Sequence, residues 1–171
     1  MKPHKILPAL VSSAILLVPL AASAQVTPGD RMFVTGMLQE SRDQLALAQL
    51  AVRRSTGPEA STAANEAVTE WSSLRSRLMP IAYAQGAPVR GALDLHGRTA
   101  LWNLGKTPRR NFDVAYLRDA AHGNQTALTR IGQEQGTSDR QLRRFLAYAR
   151  PVVSSDEQTT TDDLSDRTTR G

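Results

Sequence analysis

Hydrophobic residues recur every three or four positions between Asp30 and Arg54, which is the period of an amphipathic α-helix. We expect Asp30 to cap the start of this helix, because its side chain can accept a hydrogen bond from a free backbone N–H. Gly57 and Pro58 then end the unit. The stripe on this helix consists of Val34, Leu38, Ser41, Leu45, Ala48 and Val52, with Phe33, Met37, Leu47 and Ala51 beside it.

A second amphipathic helix is predicted almost immediately afterwards. Its face is rich in alanine and includes Ala60, Ala63, Ala64, Ala67, Trp71, Leu74 and Leu78. Two long helices joined by a short connection favour an antiparallel hairpin. We expect Pro80 to kink or end the second helix, because proline lacks a backbone N–H and clashes with the preceding turn.

The pattern beyond Pro80 predicts a loop over residues 85–98, a short helix over Arg98–Leu104 and a long helix over Asn111–Glu134. Ser138 followed by Gln141 is typical of the capping box that begins a further helix. We expect that helix to kink or stop at proline 151. Because no alternating strand pattern is present, the sequence predicts an all-α fold of four long antiparallel helices and one short helix.

Residues 1–24 have the order of parts found in a cleavable secretory signal peptide. Lys2 and Lys5 precede an apolar stretch, and small residues ending at Ala24 form a cleavage site before Gln25. The apolar stretch is short for a membrane span, and prolines and serines interrupt it. We therefore expect export to the periplasm or beyond, with no transmembrane segment after cleavage. The absence of cysteine means that no disulfide contributes to stability.

The composition changes again at Ser154, after which serine, threonine, aspartate and arginine predominate. Such a segment has little apolar surface to offset its ordering entropy, so it is predicted to be disordered. The sequence thus predicts a signal peptide (1–24), a helical domain (25–153) and a disordered acidic tail (154–171). The acids of the tail are Asp156, Glu157, Asp162, Asp163 and Asp166.

The basic residues indicate which classes of partner the protein could bind. The net charge is +5, and Lys106 is the single lysine after the leader, so arginine supplies nearly all of the positive charge. This excess fits an anionic envelope surface or, as the simpler interpretation, the codon bias of a GC-rich genome. No basic stripe is interleaved with aromatic residues, so nucleic acid is not expected as a partner. The arginine pairs that could bind an anionic surface are Arg53-Arg54, Arg109-Arg110 and Arg143-Arg144.

Few residues could carry chemistry, and no nucleophile elbow, phosphate loop or dinucleotide fingerprint occurs. Asp119 and His122 are three residues apart and can share a helix face. Glu66 and Glu70 are four apart on the second helix. These four are the candidate metal ligands, although a surface pair is the more common role for such residues, and the sequence contains no paired Glu-x-x-His motifs of the kind that bind di-iron centres.

The segment Phe112–Leu117, FDVAYL, and the segment QLRRFLAYARP after Arg140 carry a family resemblance. With the opening at Phe33 they resemble, in order and spacing, the exported bacterial family called domain of unknown function 4142. This resemblance covers about residues 33–153 and implies a ferritin-like four-helix bundle. It also implies a metal site built from Asp-His pairs on two helices and a late histidine.

The histidines of that implied site are absent from this sequence. The first pair falls on Glu70-Trp71, the second on Gly123-Asn124, and the late histidine near Asp156. Trp71 and Asn124 are expected to fill the centre of the bundle instead, since an indole packs well and an amide can bond its N–H. The resemblance therefore implies a divergent member that lacks the metal ligands.

Three functions follow from these observations. The first is an exported, non-catalytic binding or envelope accessory protein without a cofactor, whose partner is an envelope protein or an anionic surface component. The second is a metal-binding ferritin-like protein or oxidoreductase, with a transition metal held at a degenerate site. The third is a module that binds acidic polymers or lipid headgroups through its arginines. A homodimer is an open alternative, because the alanine-rich second helix could pack within or between chains.

Overall fold

The computed structural model describes residues 26–89, 91–134 and 136–170, and these residues form five helices and no strand. The all-α class is therefore confirmed, while the predicted signal peptide lies outside the described residues. No helix of the described part is long and apolar enough to cross a membrane. The helices are α1 (Pro28–Arg54), α2 (Pro58–Gln85), α3 (Leu95–Lys106), α4 (Arg109–Gln133) and α5 (Arg140–Arg170).

The four long helices pack along one another, and the short helix lies outside them. α1 and α5 each pack along both α2 and α4, whereas α3 lies chiefly against α1. The predicted apolar faces of α1 and α2 form much of the core, in which Val34, Ala60 and Ala64 are fully buried. Val52 is the exception, since 42% of it remains exposed near the end of α1.

Two predicted helix caps were wrong by a few residues. Thr27 caps α1, and Asp30 is its reciprocal partner: the Asp30 N–H donates to the Thr27 hydroxyl at 3.0 Å, and the Thr27 N–H donates to the Asp30 carboxylate at 2.7 Å. The helix begins earlier than predicted because Pro28 fits its first turn. At α5 it is Asp139, and not Ser138, that accepts from the N–H groups of the first turn.

Neither internal proline ends its helix. Pro80 lies inside α2, which continues to Gln85 and ends at Gly86 in the left-handed conformation (φ 64°). The helix continues because Ile81 and Ala82 beyond the proline are buried in the core, and that burial offsets the lost backbone hydrogen bond. α3 starts at Leu95, inside the predicted loop, because the Asp94 side chain accepts from the N–H of Gly97 and caps it.

The disordered C-terminal tail was the largest error of the prediction. α5 passes through proline 151 and continues to the end of the described chain. Its inward stripe comprises Val153, Asp156, Thr160 and Leu164, of which the first three are buried and the last packs on a core cluster. Only two of these four residues are apolar, so the apolar residues of this segment do not show the helical spacing. Arg167 then ties the end of this stripe to Glu59 and Asp113.

Candidate functional site

A layer of polar side chains crosses the helices between two apolar clusters. One cluster contains Phe33, Trp71 and Phe145, and the other contains Phe112 and Tyr116. Polar residues lie between them along the helices, and each needs a hydrogen-bond partner or pays a desolvation cost. The layer is formed by Ser41, Gln44, Glu70, Asn124, Asp156 and Thr160, all buried except the partly exposed Glu70.

Two carboxyl groups of this layer interact across α2 and α5. Burial, together with the charges of Asp156 and Glu66, raises the pKa of Glu70 from 4.5 to about 7. Burial also raises the pKa of Asp156, with a further contribution from the charge of Glu66. One Glu70 oxygen, Oε2, is buried without a hydrogen-bond partner. This arrangement favours a protonated Glu70 beside the Asp156 carboxyl.

Trp71 and Asn124 converge on the same carboxyl. The side chains of Asn124, Trp71 and Thr160 lie near the Asp156 carboxyl and partly offset the rise in its pKa that burial causes. The fully buried Asn124 amide faces Asp156 in a geometry looser than a full hydrogen bond. The structure thus brings together the three positions that the resemblance assigned to histidines.

The four predicted metal ligands do not meet. Glu66 and Glu70 lie beside Asp156, whereas Asp119 and His122 line a groove between α1, α3 and α4. Among the residues that the structure describes, no three histidine, aspartate or glutamate side chains converge in an arrangement that could hold a metal ion. The candidates therefore belong to two separate places, one beside Asp156 and one in the groove.

The groove has a volume of about 700 Å³, and its lining includes Glu40, Asp43, Asp94 and Asp119 together with Arg130. Burial raises the pKa of Glu40, Asp43 and Asp119. His96 also lines this groove, so both histidines that follow the predicted leader share one surface. The sequence could not reveal this combination, because nothing in the local pattern shows that α3 lies across α1.

Two glycines permit the close packing around the groove. A Cβ at Gly97 would overlap with the Asp43 carboxyl, and a Cβ at Gly123 would overlap with the Gln44 amide. Gly123 weakens α4 as a helix former, by about 1 kcal/mol relative to alanine. Its role is instead to let the buried Gln44 side chain of α1 approach α4.

The FDVAYL segment has a structural role. Phe112, Asp113, Tyr116 and Leu117 are all buried. The Asp113 carboxylate accepts from the backbone N–H of Gly57 at 2.8 Å and from that of Thr56, so it caps the N-terminus of α2 from another helix. The residues that carry the resemblance therefore hold the fold together.

The outer face of α3 is unusual for its exposed apolar residues. Leu95 is 72% exposed and Trp102 is 65% exposed. Both lie on the same side of α3 as Arg98 and Lys106, since the four residues are separated by three, four and four positions. The short helix predicted over Arg98–Leu104 is therefore present, and the exposure of Trp102 on it was not predicted.

The predicted arginine pairs have different roles in the structure. Arg54 donates to the carbonyl oxygens of Gly105 and Thr107, and its guanidinium lies 4.6 Å from the centre of the Phe112 ring. Arg143 donates to two carbonyl oxygens just before α5. These two residues stabilise the fold, whereas Arg53 borders a hollow beside Trp102.

These features define the class of protein: an all-helical domain of five helices with a polar layer buried between two apolar clusters. The chain belongs to the family described as Domain of unknown function (DUF4142), whose model matches residues 17–162. The resemblance inferred from FDVAYL and its neighbouring segments is therefore confirmed, and the match extends into the segment that was predicted to be a tail.

One solved structure is similar to this chain: a crystal structure of a DUF305 fragment from Deinococcus radiodurans. The two structures match with a TM-score of 0.73 and 18% sequence identity, and the match covers 82% of this chain and 97% of the other chain. At this identity the likeness concerns the fold alone. No curated protein matches this sequence.

Proposed function

We propose that this chain is an exported protein of the periplasm or cell exterior that works by non-catalytic binding through the outer face of α3. The leader over residues 1–24 supports export. The four long helices would then be the antiparallel ferritin-like bundle that the resemblance implied. In this proposal the bundle is a scaffold, and Trp71 and Asn124 occupy its interior where relatives are expected to carry histidines.

The observation that carries the proposal is the exposure of Trp102 and Leu95 beside Arg98 and Lys106. Large apolar side chains that share one exposed face commonly mark an interaction site. Trp102 does not contribute to the core, because the residues that α3 buries are Leu104 and Gly97. A binding role explains why α3 presents an indole to solvent.

In-cell photo-crosslinking tests this function. A photo-reactive amino acid replaces Trp102 in one variant and Tyr83 in a matched control, since Tyr83 is 69% exposed on α2. We expect the processed protein in the envelope fraction, with adducts from position 102 and few from position 83. Retention in the cytoplasm with an intact leader, or equal adducts from the two positions, would refute the proposal.

A metal-binding or ferritin-like oxidoreductase function is the second candidate. Its support is specific: Glu70 Oε2 and the Asn124 amide have no full hydrogen-bond partner, and both lie near the Asp156 carboxyl. Oxygen donors of this kind suit divalent cations. Elemental analysis of untagged protein, before and after Glu70→Ala, decides the matter. Stoichiometric metal that is lost on substitution would favour this candidate, whereas metal-free protein would exclude it.

A further inference from the structure

The face of α3 continues into a hollow beside the end of α1. This hollow, of about 600 Å³, is lined by Leu50 and Arg53 of α1 and by Leu101, Trp102 and Lys106 of α3. Its floor is apolar, and its charged residues are all basic. Val52, also on α1, adds a further exposed apolar side chain at this end of the molecule. We call Leu95, Arg98, Trp102 and Lys106, together with this hollow, the α3 face.

Basic residues predominate in the two segments that form the α3 face, and the nearest acids on the Gly97 side of α3 are Asp94, which caps the helix, and Asp43. From Leu95 to Phe112 the chain contains no aspartate or glutamate, and it contains Arg98, Lys106, Arg109 and Arg110. The stretch from Gln44 to Pro58 likewise contains no acid. The Lys106 ammonium lies 4.6 Å from the centre of the Trp102 ring, so a cation accompanies the exposed indole. An occupant of this face should therefore be anionic and have an apolar part.

We propose that the α3 face docks on an anionic phospholipid bilayer, with Trp102 and Leu95 entering the headgroup region. Tryptophan favours the boundary between headgroups and acyl chains, and basic residues nearby are attracted to anionic lipids. This inference rests on the proposed binding function and specifies its partner.

The size of the surface favours a membrane over a protein partner. A stable protein interface buries about 800 Å² on each side, with a well-packed apolar centre. α3 has 12 residues and exposes only two large apolar side chains. A bilayer needs no complementary shape, because lipid molecules rearrange around an inserted side chain. The proposed contact is peripheral, since only the side chains of Trp102 and Leu95 enter the headgroup region.

The test uses the protein purified from cells after export and measures co-sedimentation with lipid vesicles. One vesicle type contains phosphatidylcholine alone, and the other contains roughly a third phosphatidylglycerol, which supplies the anionic surface. We expect the protein to bind neutral vesicles about tenfold more weakly than anionic vesicles. Binding to the anionic vesicles should weaken as salt rises from about 0.1 M to about 1 M. Tryptophan fluorescence should shift to shorter wavelength on binding, because the Trp102 ring leaves water while Trp71 is already buried.

Paired variants assign this binding to the α3 face. We expect Trp102→Ala to weaken vesicle binding about tenfold and Arg98→Gln with Lys106→Gln to do the same, since each removes one of the two attractions. Tyr83→Ala and Arg118→Gln are the matched controls, because both residues are exposed on other helices. All four are surface changes that should leave the thermal unfolding curve unchanged. Equal loss in the controls would overturn the proposal.

Failure of this inference can be told apart from failure of the proposed function. If vesicles do not bind while position 102 still crosslinks to an acidic envelope protein in cells, the lipid assignment is wrong and the binding function stands. If the protein is instead a dimer that Trp102→Glu dissociates, the α3 face is covered by a second copy and the lipid assignment is again wrong. If position 102 has no neighbour in cells, both proposals fall.

Discussion

The Arg167 guanidinium lies 3.2 Å from the Asp113 carboxylate (Nη1 to Oδ2), which joins the far end of α5 to the start of α4. The same carboxylate accepts the N–H of Gly57 at 2.8 Å and so caps α2. Asp113 is only 4% exposed, and a buried carboxylate requires compensation by donors and positive charge. One acidic side chain therefore links three helices, and Arg167 completes its surroundings.

Asp113→Ala should lower the free energy of unfolding by about 2 to 4 kcal/mol, since it removes a helix cap and leaves the partly buried Arg167 without this partner. Arg167→Met should cost about 1 kcal/mol, because it retains the apolar stem and Thr56 and Gly57 still bond Asp113. Urea unfolding followed by circular dichroism measures both values. Arg118→Met, at an exposed site on α4, is the control and should change little. A neutral Asp113→Ala would contradict the linking role.

A chain that ends at Val153 should be markedly less stable than the full chain. Deletion removes Asp156, Thr160 and the partly buried Leu164, and it exposes the apolar residues that they cover. Both the urea midpoint and the slope of the unfolding transition should fall, because the slope scales with the surface that unfolding exposes. If residues 154–170 were a disordered tail, their deletion would leave midpoint and slope unchanged.

The raised pKa of Glu70 predicts that stability depends on pH. With a folded-state pKa of about 7 against 4.5 for the free group, Glu70 holds a proton in the folded chain that it has lost in the unfolded one. Stability should therefore be greatest below pH 4.5, as far as this group is concerned, fall as the pH rises to about 7, and level off above that. Asp156, whose pKa is also raised, acts in the same direction.

Glu70→Gln should remove much of this dependence. We expect it to raise the free energy of unfolding at pH 8 by about 1 to 2 kcal/mol, less than the full shift implies, since solvent screens a partly exposed group. The measurement is urea unfolding at several pH values. Asp162→Asn, on the exposed side of α5, serves as the control. A pH profile of Glu70→Gln that parallels that of the unaltered protein would contradict the assignment.

The fold was predictable where burial is apolar and periodic. The stripes on α1 and α2 predicted both helices, because alanine, leucine and valine at helical spacing have no other common explanation. The end of α5 was not predictable, because its inward positions include Asp156 and Thr160. Their environment depends on Asn124 and Trp71 of other helices. A polar residue in a sequence does not reveal that a distant helix supplies its partner.

The site was predictable only in part, for a similar reason. Alignment by the resemblance placed Trp71, Asn124 and a position near Asp156 at one centre, and the structure brings them together. Helical spacing made Glu70, Asp119 and His122 candidates for one metal site, and the fold separates them. Helical spacing defines which residues share a face, but it does not define which neighbouring helix that face meets. The exposure of Trp102 depends on how α3 docks on α1, and local sequence carries no signal for that.

The central claim is that this protein works at the α3 face and that its buried polar layer is structural. The most direct test is fractionation of cells that produce one of two variants. The first is the α3 double variant, Leu95→Ala with Trp102→Ala, and the second is Glu70→Gln. We predict that Glu70→Gln remains in the envelope fraction like the unaltered protein, while the α3 double variant moves to the soluble fraction with an unchanged melting temperature. Release of Glu70→Gln, with the α3 double variant retained, would contradict the account.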